Sequence, residues 1–345
     1  MNNMQTDNNR LLVYLCGYGS FEKLLLMSAY FHLTADDESL VEVAVGDSTK
    51  FQAQYGQLIG LLHSRYPGRL HISQFAPVDA APRATRFLQQ PEWAEHATHV
   101  FIADVDVLTL DSNLFKDHLS LMAQRGVPFS NVLRPRESTD KGFPRLTGCH
   151  FSSKNAYYPV PDLSDIDIPE STIRGADENI LYQIVKIKLN PVFQSRGLRP
   201  IHGIHVTPSR RPFGNQFRHL DNSENVEKIM ASQASADHLG VETSFWQGVA
   251  NPEYRRAFLS HWGSDVFREM YFMLESSVQQ RLLVLKIICE KEYRSWQAEM
   301  MSRYLPYDLY SPAVLHARLK ANVKRQTLQI PGAVTVNSVR KLFWR

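Results

Sequence analysis

Apolar runs and amphipathic stretches alternate along the first third of the chain. LLVYLCGYG, Leu11 to Gly19, is a nearly unbroken apolar run ending on glycines, which predicts a buried strand running into a turn. SFEKLLLMSAYFHL then spaces its apolar residues as a helix does, with Ser20 as the expected N-cap. LVEVAVGD, Leu40 to Asp47, predicts a second strand, and FQAQYGQLIGLLHSRY a second helix. RLHISQFAP, Arg69 to Pro77, reads as a third strand. RATRFLQQPEWAEHA is mostly helical but divided by Pro91, and THVFIADVDVLTLD runs from strand into loop.

Strands alternating with helices over some 110 residues predict an α/β fold: a Rossmann-like, mostly parallel sheet with right-handed crossovers, flanked by helices. In such sheets ligands bind at the carboxyl edge of the strands. Past Asp221 the pattern becomes helix-rich, interrupted only by Gly263, and no internal repeat or low-complexity segment occurs. A boundary near Gly214 to Glu224 is expected. It separates a catalytic domain, residues 1–220, from a helical C-terminal region, residues 221–345.

Composition adds limits. Of the 345 residues, 43% are hydrophobic and 21% charged, the balance of a protein able to bury a sizeable core. A net charge of +3 gives no reason to expect a nucleic-acid partner. The charge is uneven, however: Tyr310 to Arg345 holds seven Lys or Arg and no acid. Its end, VRKLFWR, mixes cations with Leu342, Phe343 and Trp344, a composition suited to peripheral contact with a membrane, a docking peptide or a disordered end. Cys16, Cys149 and Cys289 are far apart, the N-terminus lacks a signal-peptide core, and LLVLKII is too short to span a bilayer. A cytoplasmic protein, peripheral at most at the inner face of the membrane, is expected.

The candidate chemistry centres on VFIADVDVL. Side chains two apart on an extended segment face one side, so Asp104 and Asp106 are expected to project together at a strand end. Paired hard oxygen ligands suit Mg2+ or Mn2+, and a diphosphate approaches two carboxylates only with a cation between them. In HVTPSRRPF, His205 at the end of the strand Ile201 to Val206 is the natural third ligand, and an imidazole favours Mn2+. Arg211, pinned by Pro212, is placed for phosphate oxygens, and His202 is expected to be structural.

Four stretches, in order, resemble the retaining family-eight glycosyltransferases of the GT-A fold, the group of bacterial galactosyl- and glucosyltransferases and glycogenin. RFLQQPEWAEHATHVFIADVDVLTLDS resembles their arginine helix, hydrophobic strand and D-x-D-V-L; LTGCHF their small-residue strand along the sugar pocket. GADENILYQIV resembles their D-Q-D-x-L helix start, and HVTPSRRPF their H-x-x-G-x-x-K-P-W close. The similarity spans residues 11 to 213. It implies that Asp104, Asp106 and His205 bind a divalent ion, that Arg211 contacts the diphosphate, and that Arg86 approaches the donor sugar and phosphate. Thr147 and Gly148 would line the sugar pocket, Asp177 would bond sugar hydroxyls, and Glu178 would lie nearest the reacting face of the anomeric carbon.

The departures are specific. The family usually carries Gln where this chain has Glu178, so a carboxylate nucleophile and double displacement become available. Leu146 stands where Asn is frequent. The first turn lacks the family's uracil-binding residues, leaving Tyr18 to stack on a base and Asp47 to bond its edge. The resemblance thus implies a hexosyltransferase using a nucleotide sugar, UDP-Gal or UDP-Glc, on a glycan or glycolipid acceptor with retention. A sugar nucleotidyltransferase and a non-catalytic interaction protein with the same fold are the alternatives. The first would need a richer phosphate loop than GYGSFEK.

Overall fold

The apolar runs become the middle of a six-stranded sheet. The computed structural model describes residues 10–78, 81–134, 143–169, 175–189, 202–206, 248, 251–287 and 289. In it β1 (Leu11–Gly17), β2 (Leu40–Val45), β3 (Leu70–Gln74) and β4 (His99–Ala103) run parallel. The chain continues through β5 (Val107–Thr109), β6 (Phe129–Ser130), β7 (Leu133–Arg134), β8 (Arg145–Leu146) and β9 (His150–Ser153). The sheet order is β3-β2-β1-β4-β9-β6, with β9 antiparallel to both its neighbours. The expected α/β fold, a mostly parallel sheet flanked by helices, is therefore present. Because the order proceeds outward from β1 in both directions, the carboxyl ends of β1 and β4 form a switch point, the usual place for a ligand.

Helices cover this sheet for reasons visible in their sequences. α1 (Glu22–Ala35) is apolar on nearly every side and buries Leu24 through Leu33. It starts at Glu22, not at Ser20: residues Gly19–Phe21 form a 3-10 turn, with Gly19 at φ +58°, and Ser20 lies inside that turn. α2 (Ser48–Arg65) is capped by Asp47, whose carboxylate accepts from Lys50 N–H at 2.9 Å. Pro91 separates α3 (Thr85–Leu88) from a 3-10 segment over Glu92–His96, the division its sequence predicts. That segment is tied to the sheet by Glu42, a carboxylate only 1% exposed in the middle of β2. It accepts from Ser73 Oγ at 2.7 Å, Glu92 N–H at 3.0 Å and Trp93 N–H at 2.8 Å, which is how a charge survives among apolar neighbours. Three further helices follow: α4 (Leu114–Arg125), the short α5 (Lys154–Tyr157) and α6 (Ala176–Leu189).

The chain divides into two compact units, Met1–Val105 with Asp111–Pro200, and Asp106–Leu110 with Ile201–Arg345. The sheet belongs to the first. In the second, β5 pairs antiparallel with β10 (Gly203–His205) in the register Thr109 to Gly203, Leu108 to Ile204 and Val107 to His205. A Cβ on Gly203 would lie 1.8 Å from the Leu108 carbonyl oxygen, so the pairing requires glycine there. The same unit contains α7 (Pro252–His261), α8 (Asp265–Met273) and α9 (Ser276–Ile287), with Asn251 and Ser264 capping the first two. The break between α7 and α8 falls at Gly263, as expected, but Gly263 is not the sole interruption: the helix also stops at Leu274–Glu275, between α8 and α9, where no glycine marks it. The boundary expected at 214–224 and the basic tail lie outside the described residues. Among the described residues no helix is long and apolar enough to cross a membrane.

Candidate functional site

The β5–β10 ladder explains where His205 stands. Asp106 immediately precedes β5, Val206 N–H donates to the Asp106 carbonyl at 2.7 Å, and Leu110 N–H donates to the His202 carbonyl at 2.9 Å. This register brings His205 Nε2 to 3.4 Å from Asp106 Oδ1. His205 Nδ1 is buried without a hydrogen-bond partner. Asp104 is joined to Asp106 through the single buried residue Val105. Together Asp104, Asp106 and His205 make up a group that could hold a metal ion. The strand does not extend through this sequence: β4 stops at Ala103 and the chain turns before β5, so the carboxylates sit on a turn rather than on an extended edge. Two carboxylate oxygens and an imidazole nitrogen suit Mn2+, or Mg2+ less well.

Asp104 has its own partners in the sheet unit. Arg86 Nη1 donates to Asp104 Oδ1 at 2.6 Å, and the Cys149 thiol donates to Oδ2 at 3.2 Å. Arg86 Nη2 lies 3.7 Å from Asp177 Oδ2, and the guanidinium covers the Phe87 ring at 4.6 Å. Burial opposes the Arg86 charge, but Asp104 and Asp177 outweigh it and hold its pKa above the ordinary arginine value. Gly148 makes the arrangement sterically feasible. A Cβ there would meet Arg86 Nη2 at 2.7 Å and Asp104 Oδ1 at 2.8 Å. Arg86, Asp104, Gly148 and Asp177 are thus brought together.

Glu178 is held by a residue that sequence reasoning missed. Arg145 Nη1 donates to Glu178 Oε2 at 2.8 Å, with side chains 15% and 19% exposed. Arg145 also fills the space above Gly175, whose φ of +83° suits glycine and whose Cβ would lie 2.6 Å from Arg145 Nη1. Next to it, Asn179 Nδ2 donates to the Pro144 carbonyl at 2.7 Å, so the start of α6 is tied twice to the segment entering β8. The first-turn acids of α6 therefore face arginines as well as the helix dipole. The only sequence signal for Arg145 is a cation just ahead of LTGCHF.

Thr147 is committed to a buried network. Its hydroxyl donates to Asn131 Oδ1 at 2.6 Å, and Asn131 Nδ2 donates to the Thr147 carbonyl and to His150 Nδ1, each at 3.1 Å. Burial pushes His150 down to about 3, so the ring is neutral. Tyr18 is 37% exposed in the turn after β1, Asp47 has the capping role described above, and His202 is buried. Arg211 lies outside the described residues.

No family model and no curated protein sequence matches the chain. Solved structures do resemble it. S. aureus TarS 1-349 is 13% identical, covering 97% of this chain and 90% of its own, with a TM-score of 0.35. The mannosyltransferase PcManGT from Pyrobaculum calidifontis, in complex with GDP-Man and Mn2+, is 15% identical over 87% of this chain and 85% of its own, with a TM-score of 0.38. LgtC is 12% identical over 55% of this chain and 67% of its own, with a TM-score of 0.33. At TM-scores this low, the functional reading rests on this chain's own residues.

Proposed function

We propose that the chain is a metal-dependent glycosyltransferase of the GT-A kind, moving a hexose from a nucleotide sugar to a glycan or glycolipid acceptor with retention. The observation that carries this reading is the Asp104-Val105-Asp106 turn at the β4 end of a parallel sheet, with His205 against Asp106 and Arg86 on Asp104. Asp104, Asp106 and His205 would hold Mn2+ or Mg2+, which when bound supplies positive charge to a departing diphosphate. Arg211 would contact the same diphosphate. Tyr18 and Asp47, which follow the carboxyl ends of β1 and β2, would stack on the base and bond its edge. Arg86, Asp177 and the Thr147–Gly148 segment would orient the sugar.

Glu178 would act as the nucleophile. Its carboxylate oxygen would bond to the anomeric carbon as the bond to the diphosphate breaks, and an acceptor hydroxyl would then displace it, the hydroxyl proton passing to an oxygen of the departing diphosphate. Arg145, donating to Glu178 Oε2 at 2.8 Å, supports this role by holding the carboxylate in place. Proton resonance of the product's anomeric configuration checks the step, and an inverted product would remove Glu178 from it. The helical C-terminal region would contribute to the acceptor site, and the basic tail would bring the enzyme to a membrane surface.

A thermal-shift titration with UDP and GDP, each with and without Mn2+, tests the site. A nucleotide at about a hundred times its dissociation constant stabilises by roughly 2.7 kcal/mol, several degrees in melting temperature. A shift that requires Mn2+ and is lost in Asp106→Ala is the expected outcome. No shift with either nucleotide would reject the enzyme in favour of a non-catalytic protein.

A further inference from the structure

We propose that Arg86 is the resident counter-cation of the candidate metal site, and that a divalent ion is taken up as Arg86 shifts from Asp104 to Asp177. This inference rests on the metal-site reading above and adds a moving part to it. The guanidinium is unequally shared: it hydrogen-bonds Asp104 at 2.6 Å and stands 3.7 Å from Asp177. Both oxygens of Asp104 already accept hydrogen bonds, from Arg86 and from the Cys149 thiol. A cation arriving on Asp104 therefore meets a positive charge already bound to the same carboxylate. Two like charges on one carboxylate repel, and the low-dielectric surroundings of a side chain only 14% exposed strengthen that repulsion.

The surroundings give the arginine somewhere to go. Asp177 offers a second carboxylate within one short swing of Nη2. Gly148 presents no Cβ beside that nitrogen, where any other residue would put an atom at 2.7 Å. Arg86 Nε, buried and without a hydrogen-bond partner, does not anchor the group in its present position. The Phe87 ring, 4.6 Å from the guanidinium carbon, supplies a flat apolar surface along which the group can slide. A rigid structural salt bridge would instead hold Arg86 by several hydrogen bonds to one partner.

The test is direct binding of Mn2+ alone, read by electron paramagnetic resonance of the free ion, for the wild-type chain and three variants. Arg86→Met removes the competing cation and is expected to tighten Mn2+ binding at least about tenfold, the lower end of the effect of one nearby charge on a buried equilibrium. Asp177→Asn removes the second seat, keeps Arg86 on Asp104, and is expected to weaken binding severalfold. Asp106→Asn is expected to abolish it. If Arg86→Met fails to fold, the opposite shift in Asp177→Asn still decides the matter. Wild-type binding that Asp106→Asn abolishes, with Arg86→Met no tighter and Asp177→Asn no weaker, overturns this inference and leaves the metal site standing. No Mn2+ binding by the wild type or by Arg86→Met overturns both.

Discussion

Gly148→Ala is the smallest change that tests the packing of the site. The added methyl carbon would sit 2.7 Å from Arg86 Nη2 and 2.8 Å from Asp104 Oδ1, whereas ordinary contact begins at 3.4 Å. Relief requires a shift of about 0.7 Å, enough to stretch the 2.6 Å Arg86–Asp104 bond to the limit of useful geometry. Asp104 has little freedom to retreat, because Ala103 and Val105 on either side are buried. Forcing one methyl into a packed site costs about 1–3 kcal/mol, and breaking a fully buried ion pair about 3–5 kcal/mol. This pair is partly exposed, so we expect a loss of about 2 kcal/mol, or roughly 4–8 °C in melting temperature. Gly60→Ala is the control: it lies exposed within α2 with nothing within 4 Å of its Cβ position, and it should stabilise by up to about 1 kcal/mol. Differential scanning fluorimetry of the two variants checks both. A Gly148→Ala protein melting with the wild type would refute the claim that glycine is needed beside the Arg86–Asp104 pair.

Other substitutions probe the scaffold. Glu42→Gln replaces a charged acceptor of three hydrogen bonds with an amide whose NH2 opposes a backbone N–H, and should cost about 2–3 kcal/mol in urea unfolding. Arg145→Met should cost about 1–3 kcal/mol in the same assay by removing the cation from Glu178, with Arg145→Lys recovering part of it. Stability should fall as pH drops through the range below about 6.5. His150, held near 3 by burial, stays neutral in the folded chain while the unfolded chain takes up a proton. The loss reaches about 2 kcal/mol by pH 5, and His150→Gln should flatten that slope in pH-dependent denaturation.

What the sequence reveals depends on range. β1, β2 and β4 are legible because each is an apolar run whose burial needs no partner to be named, and Asp104 and Asp106 stand out because they interrupt one. The end of α1 nearest β1 is not legible: Ser20 has the chemistry of a cap, but Gly19 enters the left-handed region and starts a 3-10 turn first. β9, HFSS, carries almost no strand signal, and its place between β4 and β6 comes from sheet pairing. Glu42 reads as an error in an apolar strand until the backbone N–H groups of Glu92 and Trp93 are seen above it. Arg145 and Glu178 are 33 residues apart, and local patterning contains nothing that pairs them. Residue types name the chemistry at a carboxylate pair, whereas the cations that orient it come from elsewhere in the chain.

The β5–β10 ladder also has a consequence for the order of folding. It joins Val107 to His205, nearly a hundred residues later, through only three pairs of positions. Closing a loop of that size in an unfolded chain costs on the order of 4–5 kcal/mol, and three ladder positions contribute about 1 kcal/mol each. The parallel strands β1, β2 and β3 pair with their sequence neighbours across only 28 or 29 residues, so they should form early and the ladder late. His205 would then join Asp106 as a last step, and an ion shared between them would fasten the strand that arrives last. Amide exchange at Ile204 and Val206 should accordingly slow on addition of Mn2+ while that of β1 barely changes, making the closing of this short ladder the visible trace of metal capture.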